Sequence, residues 1–288
     1  MTWQRVLTAL VLIPVVVYIV LFTPTWAVAL ATAVITTLAL REYFALGDAI
    51  GHRAYRLWTV FSALALVFIQ IANSNFGEIG MSHGPCFKGF FSDHPADFLL
   101  GDVLFLYVLG LTVLTMFTRR PLVESLPAAG ISSSGLLLVA FPLSLAVRLH
   151  GLSQNGPRLL LFALVIIWAS DPVAYFAGRA IGKHPLAPHI SPKKTWEGSL
   201  AGMLGSLLVA YAFHYWLTIP LPHLLAMAAL GNIAGQMGDL LESACKRSAG
   251  VKDSGGLLPG HGGVLDRIDA LILCIPVIWY YLVLVNPH

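Results

Sequence analysis

The sequence predicts an all-α, polytopic integral membrane protein of about nine transmembrane helices, with the N-terminus cytoplasmic and the C-terminus outside. Composition, the spacing of apolar runs and the placement of basic residues each point to it. Of 288 residues, 57% are hydrophobic and 11% charged, with a mean hydropathy of +0.79. A soluble globular chain carries roughly 25% charged residues, so most of this surface must meet lipid. That composition excludes a water-soluble domain. The net charge of +3 is modest, and no nucleic-acid partner is expected.

A bilayer-spanning helix needs about 20 mostly apolar residues. Such runs fall near 6–23, 25–40, 57–73, 98–117, 130–149, 158–181, 198–219, 222–244 and 264–285. The first ends close to Ala27-Val28-Ala29, a small-x-small pattern like a cleavage site. Its apolar core is longer than that of a signal peptide and only Arg5 charges its start, so it reads as a retained helix. Pro24, in Thr23-Pro24-Thr25-Trp26, supplies the tight turn into the second run. With the N-terminus inside, nine helices leave only Lys88, Arg148 and Arg158 of the 17 basic residues outside, the bias expected of cytoplasmic loops. The chain reads as one integral membrane domain, 1–288, with an N-terminal helical half (1–150) and a half (151–288) in which charges enter the helices. Cys86, Cys245 and Cys274 form no C-x-x-C pair, which argues against a disulfide framework or structural zinc. His83, Cys86 and His94 share a loop and read as unrelated polar side chains.

Chemistry concentrates between Gly235 and Asp269, 35 residues that hold five acids, four bases and five loop glycines. Asp239, Glu242, Ser243 and Lys246 are spaced i, i+3, i+4, i+7 and share one helical face. Carboxylates at a membrane boundary are costly unless they meet a cation, a partner or water. The next stretch is a loop broken by Pro259, in which Gly255, Gly256, Gly260, Gly262 and Gly263 let the backbone approach a ligand. Lys246, Arg247 and Lys252 flank it, and fixed cations with successive backbone N–H groups suit a polyphosphate. Asp266 and Asp269 then share a face of the last helix, with Arg267 beside them. Carboxylates near phosphates are most simply joined by a divalent metal such as Mg²⁺. Each piece alone has a bland explanation: a turn, a solvated helix end, Arg267 neutralising Asp266, or the acidic face of a transporter. Their coincidence favours a metal–phosphate site at the cytoplasmic surface.

A second cluster runs from Asp171 to Gly198. Asp171 lies inside an otherwise apolar run, to line a polar cavity or to hold a helix pair. The following loop carries Arg179, Lys183, Lys193 and Lys194 with Ser191 and Thr195, stiffened by Pro185, Pro188 and Pro192. Such a loop serves topology, anionic lipid or phosphate. The pairs Gly178/Gly182, Gly198/Gly202 and Gly231/Gly235 read as close helix packing.

The runs Ser243-Ala244-Cys245-Lys246-Arg247, Lys252-Asp253-Ser254-Gly255 and Pro259-Gly260-His261-Gly262-Gly263-Val264-Leu265-Asp266-Arg267-Ile268-Asp269 resemble the defining pattern of the phosphatidate cytidylyltransferases. Ile190-Ser191-Pro192-Lys193-Lys194-Thr195-Trp196-Glu197-Gly198 and Ala174-Tyr175-Phe176-Ala177-Gly178-Arg179 resemble that family as well. The matches extend over residues 170–270; the first 150 residues share only their apolar helices. The resemblance implies transfer of CMP from CTP to the membrane lipid phosphatidate, with release of pyrophosphate. It implies Mg²⁺ as cofactor and Asp239 and Asp266 as the metal pair, with Asp253 and Asp269 as supporting acids and Asp269 as a third metal ligand.

On that reading the candidate catalytic residues are Asp239, Lys252, Asp253, His261, Asp266 and Arg267. The candidate substrate contacts are Ser191, Lys193, Lys194, Thr195, Ser243, Lys246, Arg247, Gly262 and Gly263. His261 is expected to hydrogen-bond a phosphate oxygen rather than shuttle a proton, because a phosphate monoester is already an anionic nucleophile. The expected location is a bacterial inner membrane, with the site facing the cytoplasm, and a homodimer through small-residue helix faces is compatible with the sequence. Two rival functions fit parts of the pattern: a CTP-dependent lipid kinase and an ion-coupled transporter. The latter would want midplane charges and a helix repeat; the charges here crowd one side and no repeat is visible.

Overall fold

The structure, a computed structural model, describes residues 2–73, 96–152, 155–257 and 262–285. Its helices are α1 (Thr2–Phe22), α2 (Thr25–Ala49), α3 (Arg56–Asn73), α4 (Ala96–Met116), α5 (Leu122–His150), α6 (Gly156–Ile181), α7 (Trp196–Phe213), α8 (Leu221–Ser248) and α9 (Leu265–Val285). Among the described residues, five of them (α2, α5, α6, α8 and α9) are long and apolar enough to cross a membrane, and apolar stretches of α1, α3 and α4 are shorter. The result is a helical, multi-pass membrane protein.

Helix ends and apolar runs do not coincide. α2 continues past the run ending at residue 40 to Ala49, because Arg41, Glu42 and Ala45 are good helix formers that need no lipid. α5 starts at Leu122 rather than 130 and contains a π-helical stretch, Leu136–Ala140. Pro142 explains it: without an N–H, and with its ring crowding the carbonyl four residues back, it cannot complete the regular ladder. The Pro-stiffened loop after α6 folds as a hairpin of β1 (Pro185–Ala187) and β2 (Ser191–Thr195), antiparallel, with Pro185 opposite Thr195 and Ala187 opposite Ser191.

The chain forms two compact units. One comprises residues 23–154 and buries Leu40, Phe44, Leu66, Leu136, Leu145 and Leu149. The other joins α1 to everything from residue 155 on, and buries Phe162, Ile166, Leu224, Met227, Leu265 and Ile278. In this second unit the glycine pairs do pack helices closely. A methyl on Gly198 would stand 2.7 Å from the Ala174 carbonyl oxygen, and one on Gly202 would stand 2.6 Å from Ser170 Oγ. On α8, a methyl on Gly238 would meet the Asp269 carbonyl oxygen at 2.4 Å. Only hydrogen fits there, so the backbones of α6 and α7, and of α8 and α9, approach closely. That approach brings the charged ends of these helices together.

Candidate active site

The C-terminal turns of α8 bury three polar side chains: Glu242 is 5% exposed, Ser243 8% and Lys246 9%. Burying an unpaired charge costs several kcal/mol, so partners are required. Lys246 Nζ lies 2.5 Å from Glu242 Oε2 and 2.6 Å from Asp266 Oδ1, one cation between two carboxylates. The other oxygen of Asp266, Oδ2, accepts from Ser254 N at 3.0 Å, Ser254 Oγ at 3.0 Å and Gly263 N at 2.8 Å. Gly262 makes this possible. Its φ is +80°, and a methyl there would stand 2.7 Å from Asp266 Oδ2, so the loop turns tightly against the first turn of α9 only with glycine at this position.

A second ion pair stands nearby in the same unit, between Lys194 Nζ and Asp239 Oδ2. Lys194 comes from β2, where side chains alternate, so Lys193 and Thr195 point the other way. Thr195 caps α7, its hydroxyl accepting from Gly198 N at 3.2 Å. Glu197 anchors the base of the hairpin: it accepts from His184 N at 3.3 Å and stands 2.6 Å from His184 Nδ1. Backbone hydrogen bonding, then the His184 ring, hold the Glu197 carboxyl down to about 2. Asp171, Asp239 and Asp269 lie within electrostatic reach of one another, and Lys194 and Arg267 act on Asp171. Three carboxylates in mutual reach repel unless a cation joins them. Among the described residues, no three His, Cys, Asp or Glu side chains are gathered to hold a metal ion by themselves. Mg²⁺ does not require that, since it binds through one or two carboxylates with phosphate oxygens and water, and Asp239 and Asp269 suit it.

The structure thus brings together Lys194, Asp239, Lys246, Gly262, Gly263, Asp266 and Asp269, and buries Ser243 on α8. Other candidates stand apart from these pairs. Lys193, Lys252 and Asp253 are exposed, Ser191 is half-buried at the start of β2, and Arg247 Nη1 donates to the Val251 carbonyl at 3.1 Å, bracing its own loop. Arg267 is exposed beside Asp266. His261 lies outside the described residues, as do His83, Cys86 and His94.

Sequence reasoning missed two features. Ser254 is 6% exposed and gives Asp266 two of its bonds; its signal was the Asp253-Ser254-Gly255 turn. A polar network also runs beneath the ion pairs. Asn232 Nδ2 donates to Ser170 Oγ at 2.7 Å and Ser206 Oγ at 2.9 Å, and Gln236 Nε2 donates to Asn232 Oδ1 at 2.6 Å. Asn232, Gln236 and Asp239 are spaced i, i+4, i+7 on α8, and that polar stripe in an apolar helix was the visible sign.

Fold and site together define a multi-pass membrane protein that gathers lysines and aspartates, linked by a glycine loop, where its apolar helices end. A sequence model of the cytidylyltransferase family matches residues 3–285, and the chain belongs to that family. It is 42% identical over 140 residues to the phosphatidate cytidylyltransferase of Bacillus subtilis, covering 48% of this chain and 52% of that protein. It is 42% identical over 133 residues to the phosphatidate cytidylyltransferase of Haemophilus influenzae, covering 44% and 46%. To that of Staphylococcus epidermidis it is 45% identical over 127 residues, covering 43% and 49%. The matches span about half the length of these curated relatives.

Proposed function

We propose that this chain transfers CMP from CTP to phosphatidate, giving CDP-diacylglycerol and pyrophosphate, in phospholipid biosynthesis. Family membership and the names of its relatives support the reading. The observation that carries it is the pair of linked charge clusters, Lys194–Asp239 and Glu242–Lys246–Asp266, at the ends of apolar helices. A phosphatidate phosphate oxygen attacks the α-phosphorus of CTP, the bond from that phosphorus to the β-phosphate oxygen breaks, and pyrophosphate leaves with the electron pair. No group is oxidised and no strong base is needed. The difficulty is to bring two polyanions together and to stabilise the leaving charge, which is a task of positioning and electrostatics.

The proposed roles rest on charge and on the family's pattern. In this reading Lys194 and Lys246 are the central phosphate cations, with Lys193, Arg247, Lys252 and Arg267 as further phosphate contacts and His261 donating a hydrogen bond. Ser191, Thr195, Ser243, Gly262 and Gly263 shape the substrate contacts, and Asp253 supports the loop. Asp239, Asp266 and Asp269 would hold Mg²⁺. Bound there, Mg²⁺ would neutralise charge on the nucleotide phosphates. The lipid keeps its acyl chains in the bilayer while its headgroup meets CTP, so the proposed site faces the cytoplasm of a bacterial inner membrane, in a chain with nine crossings.

The test is conversion of phosphatidate by the purified protein in detergent, with CTP and Mg²⁺, and again after chelation. CDP-diacylglycerol and stoichiometric pyrophosphate, both lost on chelation, are expected. Release of CDP with a newly phosphorylated lipid would replace the reading with a lipid kinase. No nucleotide consumption by folded protein would overturn it.

A further inference from the structure

The unit of residues 23–154 contains an open cleft of about 920 Å³, lined by residues that the proposed reaction does not use. One wall is cationic. Arg53, Arg56 and Arg120 line it against a single carboxylate, Asp48, which leaves two net positive charges. Asp48 pairs with Arg56. Arg120 clamps the turn before α3, donating to the carbonyl oxygens of Arg53 and Ala54 while its guanidinium lies 4.9 Å above the Tyr55 ring. The Arg53 guanidinium has no hydrogen-bond or ion-pair partner among the described residues. Tyr55 also lines the cleft and is only 8% exposed, yet its hydroxyl has no hydrogen-bond partner among the described residues. The Tyr55 oxygen is sealed from the cleft, so the exposed Arg53 fork is the donor open to an anion there.

Leu57, Trp58, Phe61 and Leu114 give the same cleft an apolar lining that is fixed in position. Trp58 stacks on Phe61 with ring centroids 6.0 Å apart, and its indole N–H donates to the Tyr107 carbonyl at 3.0 Å. The indole lies so close to Gly110 that a methyl there would stand 2.1 Å from it. Leu57 and Phe61, one turn apart, are 90% and 65% exposed, and Leu114 completes the wall. Phosphate alone gains nothing from such a wall. An anion with a hydrocarbon tail satisfies both, and basic clefts beside membrane helices match lipid headgroups.

We propose that this cleft binds an anionic glycerophospholipid, its headgroup phosphate on Arg53 and Arg56 and an acyl chain along Leu57 and Phe61. The site is lined by Asp48, residues 53–58, Phe61, Leu114 and Arg120 and stands whether or not the transferase reading holds.

The test is native mass spectrometry of the full-length protein in detergent, titrated with phosphatidylglycerol. Phosphatidylcholine of the same chains and glycerol phosphate serve as comparators. The parent is expected to bind phosphatidylglycerol at least tenfold more tightly than either comparator. Arg53→Gln and Arg56→Gln should each weaken that binding, Arg53→Gln by about tenfold (about 1.4 kcal/mol). Arg41→Gln, which removes the same charge outside the cleft, should bind like the parent. Four results would overturn the proposal: parental binding by the Arg53→Gln, Arg56→Gln double variant; an equal loss in Arg41→Gln; phosphatidylcholine binding as tightly; or glycerol phosphate competing equally, which would make it a site for free phosphate.

Discussion

Lys246 carries a single positive charge between two buried carboxylates, and that arrangement sets what substitutions there will do. Asp266 is the better-held partner, with four protein donors on its two oxygens. Asp266→Asn keeps the shape but removes the charge and turns an NH₂ towards donors. It should cost about 1–3 kcal/mol of stability and at least a hundredfold in CDP-diacylglycerol formation, the scale of a lost transition-state contact. The protein should still elute as one species. Near-parental turnover would remove Asp266 from the chemistry. Lys194 is different: its side chain is 29% exposed and, among the described residues, its ion-pair partner is Asp239. Lys194→Ala should raise the CTP or phosphatidate concentration needed for half-maximal rate by about tenfold and leave membrane insertion unchanged. Unchanged dependence on both substrates would assign Lys194 to holding Asp239 alone.

Helices α8 and α9 approach closely at a point where only hydrogen fits, so glycines with the same sequence signal should respond oppositely. Gly238→Ala places a methyl 2.4 Å from the Asp269 carbonyl oxygen, which demands movement of backbone and should cost about 1–3 kcal/mol. Gly130, on α5, has nothing within 4 Å of a would-be methyl. Gly130→Ala should be neutral or stabilising by up to about 1 kcal/mol through helix propensity. Thermal unfolding in detergent compares the two, and equal effects would contradict the packing. Composition and periodicity located the helices and the charged face of α8, because a bilayer admits few alternatives to an apolar helix. They did not locate the helix ends, since α2 and α8 run on through polar residues that carry no apolar signal. Nor did they separate Gly238 from Gly130, because what a glycine touches depends on a partner helix distant in sequence. The hairpin was read as a stiff loop for a related reason: three prolines mask so short a pairing.

Across the unit formed by α1 and residues 155–288, polar contacts sort to two ends, and this bears on orientation. At one end Asn155 Nδ2 donates to Thr218 Oγ1 at 2.7 Å and Arg158 Nη1 to the Trp216 carbonyl at 3.1 Å. At the other, Lys194 meets Asp239 and Lys246 meets Asp266. Helix α7 leads from the second end to the first and α8 leads back, so the loops after α6 and after α8 must share a side if both helices cross the bilayer. Those two loops, with the helix ends that flank them, hold eight of the ten Lys and Arg of this unit, all but Arg5 and Arg158, and the positive-inside tendency assigns them to the cytoplasm. The prediction is made in a cysteine-free background. In intact cells, Thr218→Cys should react with a membrane-impermeant maleimide, whereas Lys183→Cys should react only after permeabilisation. Labelling of both without permeabilisation would mean that α7 does not cross. The reverse pattern would turn the lysine–aspartate cluster outward, away from any cytoplasmic nucleotide, and would defeat the proposed use of CTP along with the orientation.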